Sequence, residues 1–291
     1  MTTRTSSHLV GLIGTGVGPS LTPAMHMAEG RAQGLDYVYR PIDLAALDIA
    51  PDRIGEVLGW ARALGFDAVN VTHPCKQIVL RHLDRIDPVA QQLGAVNTVL
   101  FTDDGTVGHN TDTTGFAHGF TEGLPDADLD TVVLIGAGGA GTAVADALLR
   151  LGCRHLTVVD LDVDRASSLA RELTQRHPAA QVDASSFDKL SVLLPDSDGV
   201  VHATPTGMAE HPGVAFDPAL LHPDLWVADI VYRPLDTEML QAAHAAGCRT
   251  LDGGRMAVHQ AVDAFALITG ISPDADRMSR HFRQTVENRA R

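Results

Sequence analysis

Several short stretches place polar side chains of the kinds that move protons and hold small acids. Thr72-His73-Pro74-Cys75-Lys76-Gln77 puts an amine on a proline-fixed turn directly after the apolar run Phe66–Val71. Such a lysine is either a solvated surface group or, at the carboxyl end of a strand where open α/β sheets gather their ligands, a proton donor and acceptor. Ser20 and Thr22 stand two residues apart between Pro19 and Pro23. Small hydroxyls there cap a helix, or offer two neutral donors to a small anion. Asn97-Thr98 and Asn110-Thr111-Asp112 interrupt strand-like sequence, in which Asn and Asp are depleted. Asp112 also stands where it would cap a helix over Thr113–Phe120.

A second kind of chemistry is written in Thr131-Val-Val-Leu-Ile-Gly136-Ala137-Gly138-Gly139-Ala140-Gly141. A β-branched run stops at a glycine cluster, and an alanine-rich helical pattern begins at once. Gly136, Gly138 and Gly141 fit G-x-G-x-x-G, the turn that lets a pyrophosphate reach the backbone at a helix N-terminus. The alternative is a buried strand-to-helix turn that needs glycine for packing only. His155–Asp160 reads as the next strand, ending in an acid 24 residues after Gly136. That is about where the ribose-binding carboxylate of a βαβ unit belongs.

Composition narrows the partners. With 22 basic against 36 acidic residues the chain carries a net charge of −14, which disfavours nucleic acid and anionic membrane surfaces. Cys75, Cys153 and Cys248 are scattered, with no C-x-x-C pair, as suits a reducing compartment. Cys75 beside Lys76 has no His–Asp relay to activate it and is expected to pack. The 14 histidines form no H-x₃-H pair, so no metal is expected. The first residues lack the apolar core of a signal peptide, and no apolar run approaches the roughly 20 residues needed to span a bilayer. A soluble, cytoplasmic protein is the expectation.

The elements that must position these residues alternate strand and helix, which implies an α/β fold. Expected strands cover 9–13, 37–42, 66–71, 95–101 and a segment after Gly105. Expected helices cover 24–34, 52–64, a stretch behind Lys76, and 113–120. Glu122–Asp128 has linker character. Beyond it, strands are expected at 131–135, 155–160, 180–183, 198–203, 226–231 and 249–251. Helices are expected after Gly141 and over 163–177, 187–194, 237–246, 253–268 and 274–288. At 291 residues two domains are the better expectation.

Seven motifs in register make the pattern more specific. Ser20-Leu-Thr22-Pro23-Ala-Met-His26, Asn70-Val-Thr72-His-Pro74-Cys-Lys76, Gly94-Ala-Val-Asn97-Thr98 and Asn110-Thr-Asp112 are followed by Gly136–Gly141, His202-Ala-Thr204-Pro205 and Met256-x-Val-x-Gln260. Together they resemble the shikimate/quinate dehydrogenase family from about residue 9 to 270. The resemblance implies a substrate domain over 1–113, completed by C-terminal helices over 256–291, and a Rossmann-type dinucleotide domain over 114–255, with the active site in the cleft. It implies Ser20 and Thr22 at a substrate carboxylate, Thr72, Asn97, Tyr232 and Gln260 at the ring substituents, and Lys76 with Asp112 as the acid–base pair at the C3 hydroxyl. Cofactor contacts would come from Gly136, Ala137, Gly138, Gly139, Ala140, Gly141, Asp160, Arg165, Thr204, Pro205, Gly207, Met208, Val231, Gly253 and Met256. The reaction it implies is reversible oxidation of quinate or shikimate, by a monomer or homodimer.

Two departures matter. Relatives that use NADP resemble Asn-Arg-Thr after the second nucleotide strand, whereas this chain has Asp160-Leu-Asp162-Val-Asp164 before Arg165. A carboxylate about 5 Å from one phosphate charge costs roughly 3 kcal/mol at an effective dielectric near 20, so NAD is the expected cofactor. With Thr22 in place of a serine, this looks like the NAD-using quinate/shikimate subgroup. His202 stands where the family usually has Asn. The competing expectations are an aminoshikimate or aminoquinate dehydrogenase, an NADP-linked biosynthetic enzyme, and a lapsed NAD-binding regulatory domain.

Overall fold

A computed structural model describes residues 7–290. The chain divides into two compact units, one comprising residues up to Thr111 together with those from Val258 onward, the other Asp112–Ala257.

The first unit contains β1 (Ser7–Gly14), α1 (Thr22–Ala32), β2 (Asp36–Asp43), α2 (Ile54–Ala63), β3 (Ala68–Val71), β4 (Arg85–Ile86), α3 (Pro88–Leu93), β5 (Thr98–Thr102) and β6 (Gly105–His109). Its sheet has the order β2-β1-β3-β5-β6-β4. β1 lies between two parallel partners, while β5 runs antiparallel to both β3 and β6. Period-two alternation sorts the central strand onto two faces. Val10 and Leu12 pack with Tyr37, Tyr39 and Phe265, and Ile13 packs with Ile54, Val57 and Leu58 of α2.

The second unit contains α4 (Asp112–Gly123), β7 (Thr131–Ile135), α5 (Gly139–Arg150), β8 (His155–Asp160), α6 (Val163–Arg176), β9 (Gln181–Ser186), the four-residue α7 (Leu190–Leu193), β10 (Gly199–His202), β11 (Trp226–Asp229), α8 (Glu238–Ala245) and β12 (Arg249–Leu251). All strands are parallel, in the order β12-β11-β10-β7-β8-β9. This is the doubly wound arrangement, and the order reverses between β7 and β10, the point where such sheets take ligands. Val132 and Leu134 face the cluster built on α4, α5 and α6, and Val133 and Ile135 face the one closed by α8. The long helix α9 (Gly253–Thr269) passes from the second unit to the first at Val258, and α10 (Ala275–Ala290) follows.

Several expectations need correction. The helix expected behind Lys76 is a five-residue 3-10 stretch, Ile78–His82, ended by the extended backbone of Leu83, as is usual for short 3-10 pieces. β4 and α3 were not expected. α3 is nonetheless well signalled, with Asp87 capping the Val89 N–H, Pro88 in the first turn and Gly94 left-handed at its end. The strand expected over 95–101 begins at Thr98, and the helix expected over 187–194 is broken into 3-10 and α turns. The strand at 180–183 extends to Ser186 because all six residues pair with β8. Among the described residues no helix is long and apolar enough to cross a membrane.

Candidate functional site

In the first unit, the strand directions bring the polar stretches to one sheet edge. β1 and β3 are adjacent and parallel, so the loops leaving their carboxyl ends, with Ser20–Thr22 and Thr72–Lys76, emerge side by side. The Thr15 N–H donates to the His73 carbonyl and the Thr72 N–H to that of Ile13. Antiparallel β5 brings its start to the same edge, with Thr98 opposite both Asn70 and His109. Lys76 is pinned from behind, its carbonyl accepting the Val96 N–H at 2.8 Å. Its turn contains the cis peptide His73–Pro74. Lys76 is half-buried, and Cys75 is fully buried in the core behind it, where burial pushes its thiol upward.

Neither hydroxyl of the first loop caps α1 in the expected way. The residue before the helix is Leu21, which has no capping side chain, and no acid lies in the first turn. Ser20 Oγ accepts the Thr22 N–H at 3.3 Å, and Thr22 is itself the first helical residue.

A buried chain of hydrogen bonds fixes Asn97. The Tyr39 hydroxyl donates to Asn70 Oδ1 at 2.6 Å. The Asn70 amide donates to Thr98 Oγ1 at 2.8 Å, and Thr98 donates to Asn97 Oδ1 at 3.0 Å. The Asn97 amide reaches Thr111 Oγ1 at 2.9 Å, and the Thr111 hydroxyl donates to the carbonyl of Gln260 at 3.0 Å. Five polar side chains thus tie β2, β3 and β5 to α9 and orient the edge. Tyr39 has no sequence signal of a site residue, and Asn70, Thr98 and Thr111 stand within motifs without an expected role of their own. The usable signal was there: an Asn inside the four-residue, fully buried strand β3 requires partners.

In the second unit, Gly136 has φ +109°, and a Cβ there would lie 2.6 Å from the Ala203 carbonyl oxygen, while one on Gly141 would lie 1.9 Å from that of Gly136. These two glycines serve close packing. Gly138 and Gly139 face open space, and Gly138 is the N-cap residue of α5. The turn therefore separates packing glycines from those past which a ligand can reach the helix N-terminus.

Asp160 ends β8 with 6% exposure. Its Oδ2 accepts the Ala137 N–H at 2.7 Å, and its Oδ1 accepts the Asp162 N–H at 2.9 Å and Arg165 Nη2 at 2.6 Å. Burial alone would raise this carboxyl, but the Arg165 bond and the two backbone donors bring it below the usual carboxylate range. Asp160 thus fastens the glycine turn as well as presenting an acceptor, and Arg165 is committed to it. Asp162 caps α6 through Asp164 and Arg165 N–H.

Across the switch point, His202 ends β10 at 1% exposure and bonds Asp229 at the end of β11 and Thr204 in the loop that follows. Beyond Pro205, Gly207 is left-handed at φ +91°, with its N–H on the His211 carbonyl, and Met208 forms a bridge with His211. Val231 is buried, and its N–H bonds Asp229. Tyr232 is half-buried, its hydroxyl pushed upward by burial. Gly253 lets the start of α9 approach β11: a Cβ there would lie 2.3 Å from the Ile230 oxygen. Met256 packs against the core of this unit. Asp112, 4% exposed, opens α4 as its first residue rather than capping a helix that starts at Thr113. Ala140 lies in the first turn of α5. Among the described residues no group of three or more His, Cys, Asp or Glu is arranged to hold a metal ion.

The chain has twenty arginines and only two lysines, Lys76 and Lys189. Of the two side chains, only the lysine amine gives up a proton readily.

The family model of the shikimate dehydrogenase substrate binding domain matches residues 12–99, and that of shikimate/quinate 5-dehydrogenase matches residues 121–212. A shikimate dehydrogenase (NADP(+)) of Streptomyces avermitilis is 59% identical over 94% of each chain. A quinate/shikimate dehydrogenase (NAD(+)) of Corynebacterium efficiens is 51% identical, covering 95% of this chain and 98% of its own. The solved structure of quinate dehydrogenase from Corynebacterium glutamicum in complex with NAD aligns with a TM-score of 0.89 at 50% identity, over 96% of this chain and 99% of that one. With the doubly wound sheet and its glycine turn in one unit and the matched substrate-binding fold in the other, the chain belongs to the shikimate/quinate dehydrogenase family of pyridine-nucleotide oxidoreductases.

Proposed function

We propose that this enzyme is an NAD-dependent dehydrogenase that reversibly oxidises the C3 hydroxyl of quinate, shikimate or both. Convergence of Ser20, Thr22, Thr72, Lys76 and Asn97 on one sheet edge is the observation that carries the reading. Neutral donors and acceptors suit a polyol carboxylate, and one amine suits the proton that leaves its alcohol. When bound, the nicotinamide accepts the hydride.

The residues of this chain supply the rest. Ser20 and Thr22, at the start of α1, receive the carboxylate, and the absence of an acid from that first turn leaves the helix N-terminus favourable to an anion. Thr72, Asn97 and Gln260 orient the ring hydroxyls. Lys76 Nζ takes the C3 hydroxyl proton in oxidation and returns it in reduction, and Asp112 orients the reacting groups.

The preference for NAD rests on Asp160. Its carboxylate keeps one acceptor direction for a ribose hydroxyl after serving Ala137, Asp162 and Arg165. Binding a 2′-phosphate would require Arg165 to leave a carboxylate that then repels the phosphate by roughly 3 kcal/mol. The second reading is an NADP-linked shikimate dehydrogenase, favoured by the names of relatives at 57% and 59% identity. Steady-state assays with quinate, shikimate and an amino analogue, each with NAD and NADP, decide among these. The proposal expects at least tenfold higher kcat/KM with NAD, which needs only about 1.4 kcal/mol; equal values with both cofactors overturn it.

A further inference from the structure

We propose that His202 and Asp229 act through Thr204, presenting its hydroxyl as a fixed hydrogen-bond acceptor to the nicotinamide-ribose half of the dinucleotide. The inference rests on the reading of the second unit as the dinucleotide-binding one. His202 Nδ1 lies 2.9 Å from Asp229 Oδ1, and Nε2 lies 2.5 Å from Thr204 Oγ1. Both histidine and aspartate are at most 2% exposed.

The protons can be placed from the partners. Asp229 Oδ1 also accepts the Val231 N–H at 2.9 Å, and Oδ2 accepts the Thr237 hydroxyl at 2.7 Å. A carboxylate ringed by donors offers only lone pairs to the histidine, so Nδ1 carries the hydrogen; in the neutral ring that the proposal takes, Nε2 is then the bare nitrogen. The Thr204 hydroxyl then donates to Nε2. Its oxygen accepts the Thr206 N–H at 3.3 Å, and its remaining lone pair can receive only a donor.

Strand order says which part of the cofactor supplies that donor. Asp160 ends β8 on one side of β7, and Thr204 follows β10 on the other. The glycine turn, where a pyrophosphate sits, lies at the end of β7 between them. An adenosine ribose over β8 leaves the nicotinamide half over β10. Thr204 also abuts the turn itself, since a Cβ on Gly136 would lie 3.0 Å from Thr204 Cγ2. Phosphate oxygens only accept. The ribose hydroxyls and the carboxamide N–H₂ of the nicotinamide half are donors, and they match.

His202 is a positioning residue, so its effect must run through Thr204. The test is NADH binding by fluorescence titration to the full chain and to Thr204→Val, Thr204→Ser, His202→Asn and the His202→Asn/Thr204→Val double variant, with ADP, which lacks the nicotinamide ribose, as the second probe. Asn keeps an N–H for Asp229 but cannot reach Thr204. We expect Thr204→Val and His202→Asn each to weaken NADH binding by about 3- to 10-fold, Thr204→Ser to retain it, and the double variant to be no weaker than Thr204→Val. ADP binding should be unchanged throughout. Equal losses for ADP and NADH, multiplied losses in the double variant, or no loss in Thr204→Val would overturn the proposal. Should the variants fail to fold, ¹⁵N spectra of the wild-type His202 ring decide: a protonated Nδ1 with a bare Nε2 supports it, and a proton on Nε2 overturns it. A wild-type chain that binds ADP but not NADH would instead overturn the dinucleotide reading on which this one stands.

Discussion

At the scale of the residue, Lys76 and Asp160 carry the account. Lys76→Ala should lower kcat by about 10²–10⁴-fold while changing the KM for quinate or shikimate little, as steady-state kinetics will show. Lys76→Arg should not restore turnover, because a guanidinium keeps its proton. Asp160→Asn should reduce the NAD-to-NADP ratio of kcat/KM by about tenfold or more. It should also weaken both cofactors somewhat, since the same carboxylate holds the Ala137 N–H of the glycine turn. The residues that could touch a ligand were legible because polar side chains at strand ends stand out against apolar runs. Residues that only position them were not. Asp229 sits in Trp226-Val-Ala-Asp229 with the same signature as Asp160, an acid closing a buried strand, yet its partner His202 is remote in sequence and nothing local announces it.

At the scale of the element, two buried groups on α1 set how the first unit responds to acid. Glu29 accepts a two-pronged hydrogen bond from Arg277 of α10 at 2.6 and 2.7 Å. Burial pushes its carboxyl upward, but Arg277, the Asp274 N–H and the Gln33 amide outweigh this and hold it below the usual range. Its contribution is therefore complete above the ordinary glutamate value of about 4.3 and lost as pH falls through the depressed folded value. His26 behaves differently: fully buried with Nδ1 on the Tyr37 hydroxyl at 2.9 Å, it is lowered by burial to about 3. The unfolded chain takes up a proton near pH 6.5 that the folded chain refuses, so stability falls by about 1.4 kcal/mol per pH unit from roughly pH 6 downward. Denaturant titrations at pH 7, 6 and 5 should show that slope, and His26→Asn should flatten it. Glu29→Gln should lower the midpoint at pH 7 yet leave the slope between pH 6 and 5 unchanged. Most element types were legible from periodicity, and the failures share a cause. α3 and the broken segment over 187–196 are short, and length is what distinguishes a helix from a turn when only one or two residues face the core.

At the scale of the whole molecule, a doubly wound parallel sheet and a mixed sheet, each with its own core, account for nearly all of the described chain. The glycine turn and the acid-ended strand made the nucleotide unit readable. The mixed pairing of β5 and β6 was not, because period-two alternation is the same for parallel and antiparallel neighbours. Cofactor binding should register on the whole fold: at a hundredfold excess over Kd, NAD should stabilise it by about 2.7 kcal/mol, visible as a raised Tm, with NADP at the same concentration giving a smaller rise. The most direct test of the central claim is NADH formation from quinate and shikimate with NAD, followed side by side in the wild-type and Lys76→Ala chains. The wild type is expected to turn over at least one of the two acids steadily, and the variant to lose that turnover by about 10²-fold or more. Equal turnover by both chains, or none by the wild type with either acid, would contradict that claim.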